Sequence, residues 1–298
     1  MSFLANCRPT RVGQRLHKLF SHEQWFVAVA RCSGLPSRLD DVAFRIIHPP
    51  KNRFYADPFL FEKNGRHFLF FEDYSYSSRK GVISCLELND EHGSDQPVTV
   101  LERRYHLSYP FVFECDGEIY MLPETGENNC VELYRAPEFP FRWSFERVLL
   151  PHVKAGDPTL LQRDGRFWLF MTIAGPNSQI NDELSLFFAD SLFGPWRPHP
   201  RNPVVADARS ARPAGPLFWE EGCLVRPSQD CSVRYGHKIK MNRIDIMNER
   251  EYRETTIAEY GPEWCSRNLG SHHLSRSSKY IATDGRWWKL KFNPLAVR

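Results

Sequence analysis

The chain is organised as short apolar runs separated by polar turns that contain glycine. The clearest example is residues 55–73, YADPFLFEKNGRHFLFFED, in which two apolar runs flank the turn Asn64-Gly65-Arg66. Apolar runs of this length, rich in Phe and bounded by turn residues, are typical of two β-strands joined in a hairpin. No run approaches the roughly 20 apolar residues of a membrane-spanning helix. The pattern therefore predicts a β-rich protein.

The hairpin pattern recurs three more times along the chain. In each copy a proline opens an apolar strand, a polar turn with Gly follows, and a second apolar strand comes after the turn. The marker prolines are Pro58, Pro110, Pro158 and Pro216, which lie 52, 48 and 58 residues apart. Repeats of this length are typical of the four-stranded blades of a β-propeller. Third strands are predicted at 81–88, 129–136, 184–191 and 237–244, and a fourth strand at 145–150.

A fifth unit is indicated by SHHLSRSSKYIATDGRWWKL at 271–290, which is too short to form a blade alone. The early strand WFVAVAR at 25–31 could complete it, so that N- and C-terminal strands share one blade. Closure of this kind protects sheet edges, which otherwise aggregate. We therefore predict an all-β, five-bladed β-propeller in one domain over 21–298, preceded by a tail or short helix over 1–20. The alternative is a β-sandwich with coincidental turns.

Composition and charge argue against several classes of function. The formal net charge is 39 − 36 = +3, and no run of Lys or Arg is longer than a pair, which argues against a nucleic-acid partner. The eight Cys form no CxxC pair, so we expect reduced thiols and no zinc site of that kind. The N-terminus lacks the apolar core of a secretory signal. We expect a soluble, cytoplasmic protein without cofactor or metal.

The repeat also predicts where polar groups converge. The first strand of each propeller blade lines the central channel, so the residues that begin these strands meet at one rim. They are Asp57, Tyr109, Asp157, the segment Arg212-Pro213-Ala214-Gly215 and the pair His272-His273. Converging carboxylates suit glycoside hydrolysis, in which one carboxyl group is an ionised base and the other a protonated acid.

Several stretches resemble known families. The carriers YADPFLF (55–61), AGDPTLLQRDGRFWLFMT (155–172) and FADSLFGPWRPHPRNPV (188–204) resemble the five-bladed propellers of glycoside hydrolase families 43, 32, 62 and 68. This resemblance covers roughly residues 25–290. More narrowly, YPFVFECDGEIYMLPET, RPSQDCSVRYGHKI and LGSHHLS resemble the N-terminal propeller domain of plant glucosamine inositolphosphorylceramide transferases and related bacterial proteins of polysaccharide synthesis.

The resemblance to family 43 implies that Asp57 is the general base and that Asp157 tunes pKa values and orients substrate. Where that family has a Glu before Gly-Pro, this chain has RPAGP, with Arg212 and no carboxylate. An arginine there favours an anionic sugar, a phosphate or a carboxylate. A substitute acid could come from the end of a second strand, because second strands return antiparallel to the rim. Glu124 or Asp230 is the predicted acid, and Glu72 occupies the matching place in the first blade.

Two further groups of residues are predicted to bind substrate. RPSQDCSVRYG at 226–236 packs Arg226, Gln229 and Asp230 into a predicted strand, which indicates either a polar site or a buried network, and we favour the site. Strand alternation sends one of His272 and His273 into the channel and the other between blades. Tyr109 and Arg212 complete the predicted substrate-binding set.

The sequence thus predicts a glycosidase-like, carbohydrate-active protein of polysaccharide metabolism. Its predicted substrate is a glycan or glycolipid intermediate, neutral or anionic. If it is catalytic, Asp57, Asp157 and Glu124 would form an inverting, two-carboxylate site. The alternative is a non-catalytic glycan-binding module that assists a glycosyltransferase or sugar-modifying partner. A third reading is an interaction scaffold without a cluster of charged groups in the funnel. The fold alone does not decide among them.

Overall fold

The computed structural model describes residues 21–32, 34–89, 96–175 and 178–290. The predicted tail or helix over 1–20 and the last eight residues of the predicted domain lie outside this range. Within the described residues, regular structure consists of strands and three single-turn 3₁₀ helices, at Leu39–Asp41, Gly126–Asn128 and Pro262–Trp264. None of the described helices has the length and apolarity to cross a bilayer.

The strands follow the predicted repeat closely. In chain order they are β1 (Ser21–Arg31), β2 (Arg45–Ile47), β3 (Arg53–Lys63), β4 (Arg66–Ser75), β5 (Lys80–Leu88), β6 (Val98–Leu101), β7 (Ser108–Cys115), β8 (Glu118–Glu124), β9 (Cys130–Glu138), β10 (Arg142–Pro151), β11 (Ala155–Arg163), β12 (Arg166–Ile173), β13 (Glu183–Ala189), β14 (Arg197–Pro198), β15 (Val205–Ala206), β16 (Phe218–Glu220), β17 (Cys223–Asp230), β18 (Lys238–Met247), β19 (Tyr252–Tyr260), β20 (Leu274–Arg276) and β21 (Tyr280–Leu290).

Five antiparallel sheets form the blades of a propeller. Four of them run in chain order: β3-β4-β5-β6, β7-β8-β9-β10, β11-β12-β13-β14 with β15 also on β13, and β16-β17-β18-β19. The fifth sheet has the order β2-β1-β21-β20, and β1 pairs with β21 over its whole length, from Ser21↔Leu290 to Arg31↔Tyr280. The predicted five-bladed propeller, with its ring closed by N- and C-terminal strands, is confirmed.

The apolar runs are continuous because both faces of a blade are buried. Along β4, Phe68 and Phe70 pack into the apolar cluster shared with the next two blades, whereas Leu69 and Phe71 pack against the composite blade. Each large apolar side chain buried in this way contributes about 1.5–3 kcal/mol. A strand buried on both faces therefore shows no polar alternation, which is the pattern seen in the sequence.

The fourth blade departs from the predicted strand. Its innermost strand, expected to begin at Pro216, is reduced to the three residues of β16. Upstream, the chain makes a single bridge between Pro213 and Ser228. Pro213 and Pro216 lack the N–H groups that a continuous ladder requires. The inner strand of this blade is consequently broken at the level of the central channel.

Candidate functional site

Three inner strands begin with the same local distortion. Asp57, Tyr109 and Asp157 have φ angles of 52°, 47° and 52°, in the left-handed region that residues with a Cβ seldom adopt. Each lies at a shift in strand register, and each is followed by a proline. Proline disfavours the right-handed helical region for the residue before it. A bulge of this kind redirects the side chain, and bulges are common beside active sites.

The fourth blade has glycine at the equivalent place, before Pro216. Gly215 has a φ of +131°, and a Cβ on it would lie 2.1 Å from the carbonyl oxygen of Leu274. Its N–H donates to the hydroxyl oxygen of Tyr109 at 2.9 Å, and that hydroxyl also lies 2.7 Å from Oγ1 of Thr159. Tyr109 is fully buried. It therefore packs in the centre of the ring and does not line the cavity, contrary to its predicted role as a substrate contact.

A polar cavity of about 210 Å³ opens where the inner strands begin. We call it the funnel. Its lining combines carboxyl groups, aromatic rings and one arginine: Trp25, Phe54, Ala56, Asp57, Glu72, Tyr74, His106, Ser108, Glu124, Arg212, Tyr235 and His272. Four of the predicted site residues thus line it, namely Asp57, Glu124, Arg212 and His272.

Arg212 and Asp157 form a fixed pair at the wall of the funnel. Nε and Nη2 of Arg212 donate to the two carboxylate oxygens of Asp157 at 2.6 and 3.0 Å. Gln229, fully buried, donates to the same carboxylate at 2.8 Å. Burial raises the pKa of Asp157 to about 7, while Arg212 lowers it. The bidentate geometry is that of an ionised carboxylate, so we assign the charged form at neutral pH.

Glu124 belongs to the same arrangement. Its Oε2 accepts the backbone N–H of Asp157 at 2.9 Å and lies 3.2 Å from Nη2 of Arg212. The remaining nitrogen of Arg212, Nη1, donates to Asn181 at 2.9 Å. Every guanidinium nitrogen of Arg212 is therefore engaged by protein groups. Arg212 positions Asp157 and Glu124, and four of its five N–H donors are used in hydrogen bonds to described residues.

Asp57 is held differently, without an arginine. One oxygen, Oδ2, accepts the backbone N–H of Tyr109 at 3.2 Å, and the other lies 3.7 Å from Nε2 of His272. Burial raises the pKa of Asp57 to about 7, against the lowering effect of His272. Asp157 and Asp284 raise it further. A carboxyl group that titrates near neutrality is suited to take up a proton in catalysis.

Asp284 accepts hydrogen bonds from the backbone at the end of the funnel where Asp57 and His272 lie. Its Oδ1 accepts the backbone N–H groups of His272 and His273 at 2.8 and 3.1 Å, and its Oδ2 accepts that of Asp57 at 3.2 Å. Nδ1 of His272 lies 2.5 Å from Oδ2, although the ring N–H is not aligned for a regular hydrogen bond. Burial lowers the pKa of His272, but Asp284 and Asp57 outweigh it and the net shift is upward.

Glu72 is the one carboxyl group of the funnel lining without a hydrogen bond among the described residues. It is 5% exposed and lies opposite Ala56 on the neighbouring strand. Burial, followed by the charges of Asp57 and Glu124, raises its pKa well above the usual value. Its nearest basic group is Nε2 of His106 at 3.6 Å, and burial lowers the pKa of that ring. Neutral His106 leaves Glu72 without a counter-charge, which favours the protonated acid.

Three other predicted residues lie away from the funnel. Arg226 is fully buried inside the fourth blade, where it donates to both oxygens of Glu254 at 2.8 and 2.6 Å. Asp230 accepts hydrogen bonds from the N–H and hydroxyl of Ser232. His273 is fully buried, and its ring contacts Phe59 at a centroid distance of 4.3 Å. For Arg226 the buried-network alternative is correct, because its partner is internal and charged.

Two aromatic residues of the funnel contact His272: Trp25, which was not predicted, and Tyr235, which belongs to the polar stretch 226–236. Trp25, on β1, stacks on His272 with ring centroids 4.0 Å apart and planes at 13°. Tyr235 contacts the same His272 ring edge-on at 5.1 Å. The stacked His272 ring covers one face of the Trp25 indole, which is only 8% exposed. Trp25 reaches the funnel because β1 closes the ring, and Tyr235 reaches it on the 231–237 loop. Neither placement can be read from a local sequence pattern.

The funnel also contains a set of groups that could hold one divalent cation. The ligand atoms of Asp57, His272 and Asp284 lie within 4.8 Å of one another, and all three side chains are buried. Imidazole and carboxylate ligands are compatible with several divalent metals. The expectation of a protein without metal stays a prediction.

The fold of this chain is similar to that of solved glycoside hydrolases. A family 117 glycoside hydrolase from Zobellia galactanivorans superposes with a TM-score of 0.56 at 14% identity, covering 90% of this chain and 91% of that one. An exo-beta-1,3-galactanase from Clostridium thermocellum superposes with a TM-score of 0.53 at 12% identity, covering 71% and 49%. At such identities the likeness shows the fold alone.

The family of the chain follows from its sequence. The family model described as glucosamine inositolphosphorylceramide transferase 1, N-terminal, matches residues 45–269, and the chain belongs to this family. Proteins named glucosamine inositolphosphorylceramide transferase 1 are 39% identical in Oryza sativa subsp. japonica and 37% in Arabidopsis thaliana, each over 212 residues. These matches cover 70% of this chain but only 28% of each relative. The relatives are thus named as transferases and the structural neighbours as hydrolases of carbohydrates.

Proposed function

We propose that the funnel binds one sugar unit of a glycan or glycolipid and performs acid–base chemistry at its glycosidic bond. In this proposal Asp57 is the general base, Glu72 is the general acid, and Asp157 is a positioning residue. The observation that carries it is the state of Glu72, a buried carboxyl group that lines the funnel, has no hydrogen bond to the described residues and lies 3.6 Å from the ring of His106. Glu72 replaces Glu124 in the predicted role, because Glu124 is already bound to Arg212 and to the Asp157 N–H.

In this proposal the two carboxyl groups take the two roles of glycoside hydrolysis. Glu72 donates its proton to the glycosidic oxygen as the bond from that oxygen to the anomeric carbon breaks. Asp57 accepts a proton from the water whose oxygen forms the new bond to that carbon. The products are two hydroxyl-bearing sugars, one proton has moved at each carboxyl group, and no electron transfer is needed.

A second candidate function is binding without catalysis. It is favoured by the relation between this chain and its family, since the domain is the N-terminal part of longer proteins named as transferases. A propeller in that position could hold a glycan or glycolipid acceptor for a transferase partner. Under this alternative the funnel keeps Trp25, Tyr235 and the carboxyl groups as sugar contacts, and protonation of Glu72 serves only to allow its burial.

The test is a glycan-array binding screen with the purified chain, followed by product analysis on every glycan that binds. Three variants are run in parallel: Asp57→Asn, Glu72→Gln and the control Glu114→Gln, which changes a partly exposed carboxylate that pairs with Lys63 outside the funnel. We expect turnover by the wild type and the control, and a loss of about 10²-fold or more in each funnel variant. Binding by all four proteins without product would contradict the enzymatic proposal and favour the binding module.

A further inference from the structure

His106 is held against the first blade by its ring and by its backbone. It lies in the segment between β6 and β7, lines the funnel and is half-buried. Its Nδ1 accepts the backbone N–H of Gly81 at 2.9 Å, and the carbonyl oxygen of Gly81 accepts the N–H of Leu107 at 3.1 Å. The backbone N–H of His106 donates to Oε2 of Glu127 at 2.5 Å. The position of the His106 ring in the funnel wall is therefore fixed.

The bond from Gly81 also determines which nitrogen of His106 carries the proton. A backbone N–H can only donate, so Nδ1 is the bare nitrogen, and the proton of the neutral imidazole is on Nε2. A charged imidazolium would have a second proton on Nδ1, directed at the N–H of Gly81, and would lose this bond. Burial also lowers the pKa of His106, against the raising effect of Glu127. His106 therefore presents one ring N–H, at Nε2, and no charge.

This ring N–H is directed towards Glu72. Nε2 of His106 lies 3.6 Å from Oε1 of Glu72, and a small rotation of either side chain brings the two atoms within hydrogen-bond distance. A half-turn of the ring would place carbon atoms against both the Gly81 N–H and Glu72, so the bonded orientation is the one that uses both nitrogens. The glycine makes room for this approach, because a Cβ on Gly81 would lie 2.9 Å from Oε1 of Glu72 and from Cε1 of His106.

We propose that His106 is a positioning residue for Glu72, whose Oε1 accepts a hydrogen bond from the uncharged Nε2–H as Glu72 gives up its proton. Donation to Oε1 leaves the acid proton on Oε2, so one oxygen of the carboxyl group is directed at the glycosidic bond. Because the donor is uncharged, it stabilises the carboxylate that forms without adding a positive charge, which would favour early ionisation of Glu72.

The proton transfer balances without a change at His106. The proton moves from Oε2 of Glu72 to the glycosidic oxygen, and the electron pair of the bond to the anomeric carbon goes to that oxygen. The proton of His106 stays on Nε2 throughout. The inference deepens the proposed function, on which the role of Glu72 as acid rests, but the tautomer of His106 and its contact with Glu72 exist without substrate.

Nitrogen-15 NMR of protein labelled in its histidine rings tests the tautomer in the full chain without any ligand. His106→Gln assigns the resonances by their loss, and the exposed His152 serves as the internal reference. We expect His106 to be neutral at neutral pH with its proton on Nε2, whereas His152 exchanges between both tautomers. A proton on Nδ1 of His106, an even mixture of its tautomers or a charged ring at neutral pH would overturn the proposal.

The hydrogen bond itself is tested through the titration of Glu72. His106→Phe keeps a ring but removes both nitrogens, His106→Gln keeps one donor and one acceptor, and His152→Gln is the control. Followed by carbon-13 NMR of the Glu carboxyl carbons, the pKa of Glu72 should rise in His106→Phe, because its ionised form loses a donor, and should change less in His106→Gln. An unchanged pKa in His106→Phe, or equal rises in the two variants, would overturn the hydrogen bond.

Turnover keeps this inference apart from the proposed function. On a glycan that the wild type hydrolyses, His106→Phe should lower kcat about tenfold with KM nearly unchanged, and His106→Gln should recover most of the rate. A rise in KM alone would assign His106 to substrate binding and overturn the positioning role. If the wild type hydrolyses no glycan, the proposed function fails, while the tautomer of His106 and the titration of Glu72 still decide whether the two residues are hydrogen-bonded.

Discussion

Arg212 donates two parallel hydrogen bonds to Asp157, from Nε to Oδ2 at 2.6 Å and from Nη2 to Oδ1 at 3.0 Å. The resemblance to family 43 implies a carboxylic acid directly before Gly-Pro, where this chain has Ala214, and Arg212 lies two residues earlier. The pair fixes the charged form of Asp157 and also binds Glu124. In the proposed function, proton donation then falls to Glu72, which, like Asp57, makes no hydrogen bond to Arg212.

The first prediction concerns the stability provided by this pair. Arg212→Met should lower the free energy of unfolding by about 3–5 kcal/mol, because it leaves the buried carboxylate of Asp157 without its counter-charge. Urea unfolding measures the change. The matched control is Arg209→Met, which breaks an exposed pair with Asp207 and should alter stability little. Equal effects of the two substitutions would contradict the assignment.

The second prediction concerns Asp284. Asp284→Ala removes the acceptor of three buried N–H groups, those of Asp57, His272 and His273. We expect a loss of roughly 3 kcal/mol or more in the free energy of unfolding, and a smaller loss for Asp284→Asn, which keeps one acceptor oxygen. Asp164→Ala, at an exposed hairpin turn, is the control. If Asp284→Ala unfolded no more easily than Asp164→Ala, the supporting role would be wrong.

The third prediction tests the break in the fourth blade. Gly215→Ala places a Cβ 2.1 Å from the carbonyl oxygen of Leu274, so the backbone of two blades must separate. Gly165→Ala also puts alanine at a positive φ, of 72°, but in open space. The control should cost about 1–2 kcal/mol of left-handed strain. Gly215→Ala should cost about 1–3 kcal/mol more by thermal or urea unfolding, and a smaller cost than the control would argue against close packing at the ring centre.

The fourth prediction concerns pH. Burial raises the pKa of Asp57 to about 7, against an unfolded value of about 3.9. Between these values the folded protein keeps a proton that the unfolded chain has lost. The contribution of Asp57 to stability is therefore complete below about pH 4 and is lost as the pH rises through 7.

Asp57→Asn cannot ionise and should become more stable relative to the wild type as the pH rises from 4 to 8, by up to a few kcal/mol, since one pKa unit is about 1.36 kcal/mol. The difference between the two proteins cancels the titration of groups that do not interact with Asp57. Chemical denaturation at several pH values gives this difference. A difference that is independent of pH would contradict the raised pKa.

Local signals made the fold predictable. Each Asp-Pro or Tyr-Pro pair and each turn with Gly acts over a few residues, and four copies in register specify the blades. The environments of Glu72 and Asp284 depend instead on contacts with residues that are far away in the sequence. Asp284-Gly285 has the sequence of an ordinary hairpin turn, yet it lies in the middle of β21, where Asp284 accepts N–H groups from His272 and His273. The sequence of the strand carries no sign of those partners.

Arg226 shows the opposite error. A polar strand suggested a binding site, because buried polar groups need partners. The partner is Glu254, 28 residues further along the chain, on β19, and the two side chains satisfy each other inside the blade. Long-range pairing of this kind is settled by strand register, which local patterns do not specify. Residue type alone therefore does not separate a site from an internal network.

The most direct test of the account is the protonation state of Glu72. Carbon-13 NMR of protein labelled at the Glu side-chain carboxyl carbon follows each group through a pH titration, and Glu72→Gln assigns the resonance. We predict that Glu72 titrates well above the ordinary range of glutamate, because it is buried beside the charge of Asp57. A Glu72 resonance that is already ionised at pH 5 would contradict its role as the proton donor.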